Sequence, residues 1–368
     1  MENKPKSYDS VVLKQLERST VEITGSISTD IWQKNRARAL ISFNESITVD
    51  GFRKGMTPEN ILIAKVGSMA VLEKMAEIAM SKAYFDIIMD NKIDAIGRPN
   101  IQLTKLAEGN PLEFKIITAI MPKVNLPDYA KIAKDEIAKT DVKDKKEKVT
   151  DKEVEEAIIR ICKSHAFHEG STSAKATEDK HDHEKTTPEE HRKELEKNMP
   201  ELTDDFVKKL GNFNDVPDFK DKLSKMIAEE KVNVAREKRR IAIADAISNS
   251  STVELPEILI ESEIHRAEAQ FKADIEHMNV KMEDYLKHAK KTMEEIRNEW
   301  RPHAEKKAKL QLILNAIATK ENIKPDPKEV ETEVSHILEH YKDADREHAT
   351  TYAETVLTNE KVFRWLEE

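Results

Sequence analysis

"VDGFRKGMTPENIL", Val49–Leu62, sets an aromatic and two adjacent cations between two glycines and runs straight into a helix start. Glycine takes positive-φ backbone conformations at no steric cost. Gly51 and Gly55 can therefore pinch the chain into a tip that carries Phe52, Arg53 and Lys54. Thr57 followed by Pro58 reads as an N-cap and a first-turn proline, so a helix is expected to restart at once. The expectation is an exposed tip held at both ends.

Working outward, residues 1 to about 125 carry strand signals. "STVEITGSI" alternates Val21 and Ile23 with polar neighbours, and "IQLTKL" and "LEFKIITAIM" do the same on either side of an "EGNP" turn. Helical segments lie between the early and late strands, from Ser28 to about Asn44 and from Thr57 to about Asn91. Leu72, Met75, Ile78, Ala79, Phe85 and Met89 are expected on one side of the second. After Pro127 the strand signals end and Lys, Asp, Glu and Ala dominate. "KVTDKEVEEAIIRIC" has a capping box, Thr150 with Glu153, ahead of the stripe Val154, Ala157, Ile158, Ile161. His168 to Glu190 has almost no apolar content and reads as a flexible linker, with a second short helix after it. From Pro200 the pattern is helical. Asp218–Asn249 carries Leu223, Ile227, Val234 and Ile241, and the next helix carries Ile260, Ile264, Ala267, Phe271, Ile275 and Met278. Two more helices follow, near Thr292–Asn322 and Pro327–Glu367, with Pro302 expected to kink the first or mark its start.

The fold class is therefore an α+β N-terminal domain (1–125), an arm helix and polar linker (126–199), and an extended all-α helical-arm domain (200–368). The whole composition agrees: 36% of the 368 residues are charged, 5% are aromatic and only 8 are glycine, which favours long helices over compact sheets. A formal charge of -9 argues against a general nucleic-acid binder and against DNA in particular, so any contact with RNA has to be local. A single cysteine, Cys162, excludes a disulfide framework and fits a reducing compartment. No apolar leader opens the sequence and no apolar run reaches about 18 residues. A soluble cytoplasmic protein without a membrane partner is expected.

The run Gly51-Phe52-Arg53-Lys54-Gly55 with Pro58 resembles the Gly-Phe-Arg-x-Gly-x-x-Pro signature of the trigger factor family of bacterial ribosome-associated chaperones. The order of elements around it is similar too. "PELTDDFVKKLG" (Pro200–Gly211) and "VELPEILIESEI" (Val253–Ile264) resemble segments of that family's carboxy-terminal domain. The resemblance implies that the tip docks on the large ribosomal subunit near the exit tunnel, touching protein and rRNA, with Gly51, Phe52, Arg53, Lys54, Gly55 and Pro58 as the docking set. It also implies an ATP-independent chaperone for nascent or unfolded polypeptides, and it leaves open a homodimer off the ribosome. The chemistry agrees, since an Arg-Lys pair can meet phosphates or acidic side chains while an aromatic anchors the contact.

Two departures from the family pattern matter. "SFNESITVDG" (Ser42–Gly51) carries only acidic charges, with Arg36 and Arg38 further back, so weaker or more salt-sensitive docking is expected. Family members usually insert an FKBP-like prolyl isomerase domain. Between Asp151 and Pro200, however, Phe167 is the only aromatic and Gly170 the only glycine, so a shortened form without isomerase activity is expected.

His165, His168, His181, His183 and His191 gather near Cys162 and Asp182, but one thiol and a polar flanking chain close no site, so neither metal nor cofactor is expected. No nucleophile-base set, phosphate loop or paired-carboxylate site stands out, and the charges of "ESEIHRAEAQFKADIEH" (Glu261–His277) are those of a solvated helix, so no catalytic residue is assigned. Methionine suits surfaces that accept many sequences. Met226, Phe271, Met278 and Met282 are the candidate client-contacting residues, against the alternative that each fills a core. From a different class of function, a helical interaction scaffold or holdase acting off the ribosome is the alternative reading.

Overall fold

The structure, a computed structural model, describes residues 6–144, 149–173, 201–341 and 344–368. It divides into two compact units that are interleaved in sequence, Met1–Pro127 with Ser248–Val362 and Asp128–Ile247 with Phe363–Glu368.

The first unit opens as an α+β layer: β1 (Ser10–Leu16), β2 (Thr20–Ile27), α1 (Thr29–Trp32), a 3-10 turn (Gln33–Asn35), α2 (Arg36–Ser46), α3 (Glu59–Val66), α4 (Ser68–Asp90), β3 (Ala95–Lys105) and β4 (Leu112–Ile120). The four strands form an antiparallel sheet in the order β1-β2-β4-β3. Alternation sends Val21, Ile23 and Ile27 of β2 and Leu112, Phe114 and Ile116 of β4 into one buried face, while Glu22 and Lys115 pair at 2.7 Å on the other. The sequence signals missed β1. It is an edge strand bonded on one side only, its side chains are mostly exposed, and its seven residues show little alternation.

Helix α4 covers the sheet with part of the side expected: Met75 and Ala79 are buried and Leu72 and Ile78 pack against the core, but the C-terminal end of the expected stripe is not used. Its buried face is Val71, Met75, Ala76, Ala79, Met80, Ala83 and Ile87, whereas Phe85 is 64% and Met89 62% exposed. The short alanines allow close helix-sheet approach, with Met75, Met80 and Ile87 filling the space beside them, and Phe85 and Met89 lie off this face.

The second unit contains α5 (Tyr129–Asp144), α6 (Asp151–Ser173), α7 (Asp204–Leu210) and α8 (Val216–Ser250). The capping box before α6 is present, with the Thr150 N–H donating to Glu153 Oε2 at 2.8 Å and the Glu153 N–H to Thr150 Oγ1 at 3.4 Å. The expected stripe follows it. Val154, Ala157, Ile158 and Cys162 pack with Phe206 and Val207 of α7 and Phe219 and Leu223 of α8. Helix α6 runs on to Ser173, past His168 where a linker was expected, and the rest of that expectation lies outside the described residues. In α8 the stripe holds only near its start. Leu223 is buried but Val234 and Ile241 are exposed, and burial resumes at Ile243, Ala244 and Ile247 on a rotated face. The chain's last residues join this unit, where Arg240 donates to both carboxylate oxygens of Glu367 and Tyr129 meets Trp365 with ring centroids 5.8 Å apart.

The remainder of the first unit is helical: α9 (Glu257–His277), α10 (Met282–Ala289), α11 (Met293–Lys320), α12 (Pro327–His340) and α13 (Arg346–Glu367) as far as Val362. Helix α11 starts at a Thr292–Glu295 capping box and passes through Pro302, which neither starts nor ends it. Ile296 before the proline and Ala304, Ala308 and Leu312 after it are buried, so packing spans the lost backbone bond. Arg297 pairs with Glu261 (2.7 Å) and Glu268 (2.5 Å), and Arg301 with Glu257 and with Glu261 (3.3 Å), locking α9 to α11. The β1-β2 turn reaches the same helix start: Arg18 meets Glu257 at 2.8 Å and Ser19 Oγ donates to the Glu254 carbonyl at 2.8 Å. Beside them Gly97 admits Ile258 so closely that a Cβ there would stand 1.8 Å from its Cδ1.

Candidate functional site

The tip lies between α2 and α3. Gly51 and Gly55 have φ of +87° and +85° with nothing within 4 Å of an added Cβ, so backbone conformation alone requires glycine there. The Phe52 N–H donates to the Val49 carbonyl at 3.1 Å and the Met56 N–H to the Arg53 carbonyl at 2.9 Å, making two successive tight turns, the second of which carries both cations. Arg53 and Lys54 are exposed and Phe52 is half-buried.

The base of the tip is closed by a residue that sequence reasoning missed. The Asn44 carbonyl takes the Gly55 N–H at 3.1 Å, while its side chain accepts the Thr57 N–H and donates to the Thr57 carbonyl, both at 3.0 Å. Thr57 is thereby buried and tied to α2, and it is not the helix N-cap. Pro58 occupies that position without a side-chain cap, and α3 starts at Glu59. Asn44 carries no motif of its own. Its position in the last turn of α2 is the only local hint, because asparagine readily bonds neighbouring backbone.

The three cations behind the tip have different surroundings. Arg36 donates through Nε and Nη2 to Glu59 Oε1 at 3.2 and 3.1 Å, so its charge is compensated, whereas Lys34 and Arg38 are exposed. Met56 adds an exposed apolar side chain beside the cations, unremarked in the sequence because it falls between motif positions.

The candidate client-contacting residues are divided between the two units. Met226 lies in the second unit, 60% exposed, at the rim of an apolar hollow of about 170 Å³ lined by Ile161, Leu210, Phe213, Phe219 and Leu223. Phe271, Met278 and Met282 belong to the first unit. Phe271 is half-buried, with Tyr285 and Trp300 edge-on to it at 5.3 Å each, and acts as packing between α9, α10 and α11. Met278 is exposed just past the end of α9, and Met282 is partly buried at the start of α10.

In the histidine-rich stretch, Cys162 is buried and burial pushes its thiol pKa up, while the His165 ring stands edge-on to Phe206 at 5.2 Å. His168 lies within α6; His181, Asp182, His183 and His191 fall outside the described residues. Among the described residues no group of three or more His, Cys, Asp or Glu side chains is placed to hold a metal ion. No described helix is long and apolar enough to cross a membrane.

Residues 10–161 match the family model described as bacterial trigger factor protein, and residues 215–367 the model for its C-terminus. The trigger factor of Carboxydothermus hydrogenoformans is 24% identical over 397 aligned positions that cover 90% of this chain and 91% of the relative. That of Halothermothrix orenii is 27% identical over 380 positions, covering 88% and 89%. A solved trigger factor chaperone, described for promiscuous substrate recognition in folding and assembly, superposes with a TM-score of 0.50 over 98% of this chain and 99% of its own at 15% identity, a likeness of fold.

Proposed function

Because the chain belongs to the trigger factor family of bacterial ribosome-associated chaperones, we propose that it docks on the large ribosomal subunit beside the peptide exit through Phe52, Arg53 and Lys54. There it shelters emerging polypeptides in the bacterial cytoplasm without ATP. The observation that carries the docking assignment is the tip itself: two exposed cations and an aromatic raised between positive-φ glycines and clamped at the base by Asn44. Such a loop presents its charges in a fixed geometry at little cost in entropy on binding. Sheltering would draw on apolar side chains spread over both units, Met226 and its hollow in one and Met278 and Met282 in the other. Contacts worth about 1 kcal/mol each hold an unfolded chain only when several act together.

The same reading assigns no prolyl isomerase activity. Two features support it: the family models match on either side of residues 162–214 and not within them, and the alignments to both relatives are longer than the entire 368-residue chain, so those relatives carry stretches with no counterpart here.

The docking test is co-sedimentation with purified ribosomes. F52A/R53A/K54A is expected to abolish pelleting while circular dichroism stays unchanged, because none of these side chains belongs to the core cluster. Undiminished pelleting by the folded triple variant would remove the tip from the contact and favour a scaffold that acts off the ribosome.

A further inference from the structure

The last residues of α12 read His336-Ile337-Leu338-Glu339-His340, which sets two histidines four positions apart on one regular helix. Side chains at that spacing stand one above the other on the same face. Val330 and Val334 are buried with Ala349 and Ala353 of α13, which fixes the rotation of α12 and leaves both histidines exposed. Their ring centroids are 5.2 Å apart and their planes meet at 88°. Two imidazoles on one tetrahedral ion, at metal-nitrogen distances of about 2.0–2.1 Å, hold their centroids roughly 5 Å apart. The pair therefore already stands at the separation that a shared ion requires.

Two further features favour a cation there. Glu333 lies on the same face one turn before His336, and Glu339 lies three positions after it. His340 is in the last turn of α12, where the carbonyl ends of a helix favour positive charge. Glu329, further along the stripe, is already paired with Lys361 at 2.8 Å.

We propose that His336 and His340 form a surface chelate for one divalent transition ion of the zinc, nickel or copper class, with water completing the coordination. Imidazole nitrogen selects such ions over magnesium and calcium, which prefer oxygen. A His-x-x-Glu-His run also occurs in zinc peptidases. Here no third protein ligand converges among the described residues, so the chemistry is binding and not hydrolysis. A bound ion would clip the final turn of α12, the helix whose buried valines hold α13.

The test must separate this pair from the other histidines of the chain. The full-length, tag-free protein is titrated with zinc chloride, and with magnesium chloride in parallel, while acylation of each histidine by diethyl pyrocarbonate is read by peptide mass spectrometry. Zinc is expected to protect His336 and His340 together and magnesium neither. In H336A the protection of His340 is lost, and in H340A that of His336, with circular dichroism confirming that both variants fold. Protection of His340 that persists in folded H336A, or no protection of either ring in the unmodified protein, overturns the chelate.

Discussion

Asn44 closes the base of the tip, because its side chain pairs both backbone polar groups of buried Thr57 at 3.0 Å. In N44A those two groups lose their partner, and leaving a buried backbone group unpaired costs about 1–3 kcal/mol. The variant is expected to melt earlier, to exchange its amides faster over Gly51–Thr57, and to pellet less with ribosomes although Phe52, Arg53 and Lys54 remain. Unchanged exchange and pelleting would mean that the glycine turns hold the tip alone. A second single-residue effect concerns acid. Lys231 Nζ lies 2.6 Å from the Glu153 carboxylate, and with the Thr150 N–H it lowers the Glu153 pKa from 4.5 to about 2. A depressed carboxylate pKa contributes stability that is fully present above the unfolded value and is lost as pH falls through the folded one. Thermal unfolding followed from about pH 4.5 down to 2 should show a loss of stability to which Glu153 contributes, and E153Q should flatten the slope there. Equal slopes for the two proteins would remove Glu153 from the acid response.

Among the elements, α8 separates packing from surface within one turn. Leu223 is buried between α6 and α7, whereas Met226, three positions on, stands at the rim of the hollow. L223A should cost about 2–5 kcal/mol, as large-to-small changes in a core do. M226A should stay within about 0.5 kcal/mol of the parent, yet weaken suppression of a denatured client's aggregation measured by light scattering. Equal protection by the parent and M226A would exclude this hollow from client contact. The stripe on α4 carries a related lesson. Phe85 and Met89 continue the spacing of Met75 and Ala79, but the buried face runs on through Met80, Ala83 and Ile87 instead. Several apolar faces can be read from one helix, and only the approach distance of its neighbour chooses between them.

For the whole molecule, the proposed absence of an isomerase makes a direct prediction: the full chain will not accelerate a proline-limited refolding reaction. A rate gain that survives repurification and yields to an FKBP-type inhibitor would reverse that reading. The strands β2, β3 and β4, the capping box at Thr150, the helix start near Thr292 and the glycine turns of the tip were legible in the sequence. These features depend on alternation, on the sign of φ and on bonds between residues three or four apart, all of which a short stretch determines by itself. Tertiary structure alone decided that residues 248–362 complete the unit begun by residues 1–127, that Glu59 neutralises Arg36, that Phe271 packs between Tyr285 and Trp300, and that Asn44 clamps Thr57. Each of these depends on which distant surfaces meet, and charge, periodicity and propensity along the chain leave many such pairings equally acceptable until the cores close.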